Sequence, residues 1–183
     1  AADALDVNDS VTDTFVYTLS DGTATDTANL VITVTGVNDT PTAQNDVGFI
    51  DEGETLTVTN GANANVSGSY DADEEHSGDL IDTSSSSHQD SDPDASPTLR
   101  ISAIQPSGGS SSSVSSGSSY NSSGTSVTGT YGTLTIGADG SYTYAANDSI
   151  SGFDANETLT DTFTYTLSDE HDATDTATLT ITL

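Results

Sequence analysis

Cysteine, methionine and tryptophan are absent from the 183 residues, and Arg100 is the sole member of the Lys/Arg class. Without cysteine there is neither a disulfide framework nor a thiolate metal site. Against that one cationic side chain stand 29 acidic ones, for a formal net charge of -28 at pH 7. A nucleic-acid binder needs a basic surface to displace phosphate counterions, and none can be built from this composition. Binding to an anionic membrane surface is excluded for the same reason, and no stretch has the apolar length of a membrane-spanning helix. Aromatic residues make up 6% and apolar residues 32% of the chain, lean for a compact core. The opening AADALDVNDS lacks the positive region and apolar stretch of a signal peptide, so the chain is expected to be a mature piece or a segment of something longer.

Low hydrophobicity with high net charge is the signature of a disordered chain. The same sequence carries clean alternating segments, which argue for sheet. Both hold together if something neutralises the charge. Aspartate far outnumbers glutamate and is clustered. Short carboxylates in loops are what Ca²⁺ sites use. The alternative is a halophile-like solvated surface, and the clustering favours the cation.

An internal repeat organises the chain. Thr12 to Asp21 reads TDTFVYTLSD and Thr160 to Asp169 reads TDTFTYTLSD, nine of ten positions identical at an offset of 148. TDTANLVITV from Thr25 pairs with TDTATLTITL from Thr174 at an offset of 149. Residues 1–35 therefore read as the closing strands of a preceding, incomplete repeat, and 36–183 as one complete module.

In 160–168, Phe163, Tyr165 and Leu167 fall on one face and the threonines on the other, the period-two pattern of a half-buried strand. Leu179, Ile181 and Leu183 repeat it, as do Phe15, Tyr17 and Leu19, then Leu30, Ile32 and Val34. Further strands are expected at 47–50, 55–59, 98–104, 126–136 and 141–145, with Gly137 to Gly140 as a hairpin loop. No window has helical apolar spacing. Short strands divided by Gly, Asn and Asp turns predict an all-β sandwich. Two stretches break the rhythm. Residues 71–97 form an acidic loop interrupted by Pro93 and Pro97. Residues 107–126, SGGSSSSVSSGSSYNSSGTS, are low in complexity and are expected to be a long flexible insertion that buries no face.

The run GTYGTLTIGADGSYTYAANDSISGFDANETLTDTFTYTLSD, followed by TDTATLTIT, resembles the VCBS repeat, a module of large bacterial surface and secreted proteins related to cadherin-like and immunoglobulin-like domains. VNDTPTAQND (37–46) resembles the linker and first strand that follow each such repeat. The resemblance implies a tandem, calcium-stiffened sandwich with a structural or adhesive role outside the cell, and no enzyme activity. The parts that depart from the pattern are 60–97, long and acidic, and the Ser-rich 107–126.

Two constellations can carry a cation. In cadherin-like arrays an Asn-Asp linker lends a carbonyl and a carboxylate to Ca²⁺, which the resemblance assigns here to Asn38 and Asp39, with Asp46 and Glu52 downstream and Asp21 or Asp26 upstream. The plain reading of Asn38-Asp39 is an Asx turn in a linker. Asp90, Asp92 and Asp94 stand at alternate positions, as in a loop that wraps a cation. An EF-hand is excluded, because Ala95 stands where Gly is needed and Ile101 where a bidentate Glu would sit. Asp71, Asp73, Glu74, Glu75 and Asp79 form a denser acidic cluster, readable as a cation site or as an exposed mobile loop.

His76, His88 and His171 lack the spacing of a zinc site. No GxSxG elbow is present, so hydrolase chemistry has no support. The expected function is a calcium-stabilised extracellular repeat of an adhesin stalk or a biofilm matrix filament. Its expected partners are neighbouring copies of the repeat or subunit, met head to tail through 1–35. The alternative is a module that recognises carbohydrate or another ligand through Ca²⁺.

Overall fold

The computed structural model describes residues 5–61, 66–68, 76–82, 88–94, 97–151 and 157–183. The chain divides into two compact units, one of residues 1–39 with 93–97, the other of 40–92 with 98–183. In the first unit, β1 (Ser10–Ser20) and β2 (Thr25–Thr35) form an antiparallel two-stranded sheet with Phe15 opposite Leu30 and Tyr17 opposite Ala28. Gly22 takes a positive φ of 92° in the turn. Asp21 Oδ1 accepts the backbone N–H groups of Thr23 at 2.8 Å and Ala24 at 2.7 Å.

Among its described residues, the second unit has ten strands in two sheets. One has the order β5 (Val66–Ser67), β4 (Thr55–Val58), β10 (Tyr142–Ala146), β9 (Gly132–Ile136), β8 (Thr125–Thr128). The other has the order β3 (Asp46–Phe49), β12 (Thr174–Thr182), β11 (Thr160–Ser168), β6 (Arg100–Pro106), β7 (Ser112–Ser113). Every pairing is antiparallel except β12 with β3. One apolar cluster draws on both sheets: Leu56, Leu134, Ile136, Tyr142 and Tyr144 from the first, Ile101, Ile104, Phe163, Tyr165 and Leu179 from the second. Tyr144 and Phe163 meet edge to face, with ring centroids 6.2 Å apart. This is the all-β sandwich that the alternation predicts.

Two expectations are corrected. The single strand over 126–136 is two strands, β8 and β9, reversing at 129–131. Glycines make the reversal possible: a side chain at Gly132 would run into the Tyr144 ring. The buried Asp161 gathers the N–H groups of Thr130, Tyr131 and Gly132 at 2.7, 2.9 and 3.2 Å. The Ser-rich 107–126 is not a loose insertion. It supplies β7 and the first half of β8, and Val114 and Ser118 are buried. Its order comes from polar pairing rather than from an apolar face. Ser118 Oγ accepts from Ala138 N at 3.0 Å, and Tyr120 N donates to Ser141 Oγ at 3.1 Å.

The described part of the acidic stretch is also packed into the second unit. Ser77 N donates to Val47 O, Leu80 N to Gly140 O and Asp90 N to Asp82 O. Leu80 is fully buried. Leu80, with Ile81 packed against the same core, anchors the neighbouring carboxylates against the sandwich.

Candidate metal centre

Among the buried carboxylates of the second unit are Asp46 at the start of β3, Asp79 and Asp82 flanking Leu80 and Ile81, and Asp90. Backbone and phenol donors fix them. The Tyr165 hydroxyl, carried by β11, donates to Asp46 Oδ2 at 2.7 Å. Asp90 Oδ1 accepts from Gln44 N at 2.9 Å and its Oδ2 from Asp82 N at 3.1 Å. Asp79 Oδ2 accepts from Gly61 N at 3.1 Å. A strand start, a strand interior and a loop thus converge on one acidic region.

Burial dominates the electrostatics. It pushes Asp46 up to about 7, against the hydrogen bonds from Tyr165 and Ser77 and with the repulsion of Asp90 adding to it. Burial, against backbone hydrogen bonds and with the Asp82 charge adding to it, brings Asp79 and Asp90 up to about 6. These carboxylates feel one another, so they form a single electrostatic unit. The chain has little to offer as counter-charge. Its one arginine is paired with Asp172. His88 draws Asp46 down, and its Nδ1 donates to the Asn45 carbonyl at 2.6 Å.

Tyr142 adds an independent sign. Its hydroxyl is buried and has no hydrogen-bond partner among the described residues. After burial, the charges of Asp46 and Asp79 are what hold its ionisation above the ordinary value. The donor set is carboxylate, phenol and carbonyl oxygen. Oxygen donors of this kind suit a hard divalent cation such as Ca²⁺ more than zinc, but no three of the carboxylates Asp46, Asp79, Asp82 and Asp90 hold their oxygens within 4.8 Å of one another in this structure.

The residues expected from sequence are distributed as follows. Asp46 and Asp90 belong to this cluster. Asp92 is half-buried in the second unit, and Glu52 lies exposed in the β3–β4 turn, where it accepts Ile150 N. Asp39 and Asp94 meet in the first unit, where Asp39 N donates to Asp94 Oδ2 at 2.9 Å and Asn38 Nδ2 donates to Asp39 O at 2.8 Å. Asp21 and Asp26 are exposed on the hairpin. The N–H groups of Ala24 and then Thr23 hold Asp21 below the usual carboxylate range, and Asp26 Oδ1 accepts Thr27 N at 2.8 Å. Asp71 and Asp73 lie outside the described residues, as do Glu74 and Glu75.

Asp82 was not among the residues expected from sequence, and Asp79 was not separated from its acidic neighbours. The signal that marks both is the apolar pair Leu80-Ile81 between them, an inward anchor within a polar run.

A sequence model of the bacterial cadherin-like domain matches residues 38–183. No curated protein sequence matches the chain.

Proposed function

The chain belongs to the bacterial cadherin-like domain family, and we propose that it is a calcium-stabilised structural module, one link of an extracellular adhesin stalk or matrix filament. The observation that carries this reading is the cluster of Asp46, Asp79, Asp82 and Asp90, buried in a chain without lysine. Buried like charges without a counter-charge destabilise the fold that buries them. A divalent cation held by these side chains turns that liability into a folding contribution, because it binds the native arrangement and not the unfolded chain. Calcium is abundant outside cells, where weak sites of this kind are filled. At free calcium ten times the dissociation constant, one site contributes about 1.4 kcal/mol, a fair share of a domain's net stability. The role is mechanical rather than catalytic: a sandwich locked by ions resists extension and spaces whatever lies on either side of it.

The test is thermal unfolding at fixed ionic strength with calcium, with chelator, and with NaCl in place of calcium. Chelation lowers the melting temperature strongly and NaCl does not restore it. Equal rescue by NaCl would replace this reading with that of a halophile-like acidic surface.

A further inference from the structure

We propose that Asn60 and Gly61 form a self-modifying site: in the folded protein the Gly61 nitrogen closes on the side-chain carbonyl carbon of Asn60, Asp79 takes the proton, and the asparagine becomes a carboxylate. This goes beyond the calcium reading and does not depend on it.

The chain has ten asparagines, and Asn60 is the only one followed by glycine. Ring closure between an asparagine side chain and the next backbone nitrogen is hindered by a side chain on that next residue. Gly61 has none. Chain neighbours apart, no described residue lies within 4 Å of where its Cβ would stand. Its φ of 135° is one that glycine adopts freely. Both residues are exposed, in the bend that follows β4. Asn45 makes the contrast. It is followed by Asp46, and its Oδ1 accepts the N–H and the hydroxyl of Thr178 at 2.9 and 3.0 Å, which ties its amide down.

Two further contacts supply what the reaction needs. Gly61 N donates to Asp79 Oδ2 at 3.1 Å, so a carboxylate already faces the proton that must leave. Asp79 is buried, and the bond from Leu80 N to Gly140 O fixes the backbone beside it. Asn60 Nδ2 donates to the Asp139 carbonyl in the turn between β9 and β10, which holds the side chain in place. The step balances without a cofactor. The bond between Gly61 N and Asn60 Cγ forms as the Gly61 proton passes to Asp79 Oδ2. That proton then moves to Nδ2, the Cγ–Nδ2 bond breaks and ammonia leaves. Water opens the five-membered imide at one of its two carbonyl carbons, giving aspartate or isoaspartate at position 60. Either product adds one negative charge beside Asp79. A carboxylate cannot donate to the Asp139 carbonyl, so the converted chain loses the tie between the end of β4 and that turn.

The test incubates the full chain at neutral pH with chelator, so that no cation competes for Asp79. Position 60 is followed by peptide mass spectrometry and by enzymatic detection of isoaspartate, and a parallel sample is unfolded in urea. In the folded chain Asn60 converts ahead of every other asparagine and about ten-fold or more faster than in urea, a modest share of what a positioned base supplies. Asp79→Asn keeps an acceptor for the Gly61 N–H but removes the base. It slows the folded chain about ten-fold or more and leaves the rate in urea unchanged. Conversion no faster in the folded chain than in urea overturns the proposal, and that comparison needs no variant. An Asp79→Asn chain that folds and converts at the original rate overturns it as well.

Discussion

The Tyr165 hydroxyl donates to Asp46 Oδ2 at 2.7 Å and also to the Gln44 carbonyl, so a core tyrosine of β11 holds the entry to β3 from both sides. Tyr165→Phe removes both contacts without emptying the core. The expected loss is about 1.5–3 kcal/mol, the range for a hydrogen bond with a charged acceptor. A second effect follows from its direction. The Tyr165 hydrogen bond lowers Asp46, so its removal raises Asp46 beyond about 7 and keeps it protonated to higher pH. Calcium affinity near neutral pH therefore falls. Unfolding in urea and a calcium titration on the same variant check both parts. An unchanged calcium midpoint would separate Asp46 from the ion.

The pH dependence of stability follows from the raised carboxylates. Asp46 titrates at about 7 and Asp79 and Asp90 at about 6 in the folded chain. An unfolded aspartate titrates near 3.9. Between roughly pH 4 and pH 7 the folded chain holds more protons than the unfolded one, so stability without calcium falls as pH rises through that window. Calcium binds the ionised forms and flattens or reverses the fall. Urea midpoints from pH 4 to 8, with chelator and with calcium, give the two curves. General repulsion at a net charge of -28 adds to the same slope. Asp46→Asn and Asp90→Asn isolate the cluster: the double variant has the shallower slope in chelator. A slope unchanged by the double variant assigns the effect to the surface charge.

Most of the sandwich is legible in the sequence because its strands alternate. Phe163, Tyr165 and Leu167 announce a core face with no help from tertiary contacts, and the duplicated TDTF segments announce the module. The parallel pairing of β3 with β12 has no such mark, since nothing in DVGF says which edge it joins. The order in 107–126 was hidden for a different reason. Hydroxyl and backbone hydrogen bonds hold that segment, and those leave no hydrophobic period in the sequence. Asp46 could be picked out through the resemblance of the 37–46 linker and Asp90 through the alternating carboxylates of 90–94. Asp82 could not, because its role comes from the fold returning the chain so that Asp82 N meets Asp90 Oδ2.

Not every buried carboxylate belongs to the proposed calcium site, and Asp161 marks the difference. It is 2% exposed, yet its oxygens accept three backbone N–H groups and the Tyr144 hydroxyl, the last at 2.7 Å. Four donors neutralise it locally, so it needs no cation. Asp161→Asn would turn an amide NH₂ toward backbone N–H groups, which can only donate, weakening the support of the 129–132 reversal. The expected cost is about 3 kcal/mol, as for breaking a buried charged network. It should be equal in calcium and in chelator, whereas the cost of Asp90→Asn should shrink when calcium is removed. Denaturant unfolding of both variants in both conditions makes the comparison. A calcium-dependent cost at Asp161 would place it with the ion after all. The matched change Asp13→Asn sits at the equivalent position of the hairpin, where the aspartate is exposed. In the chain as it stands that change costs almost nothing, because the turn that Asp161 gathers has no counterpart described around Asp13.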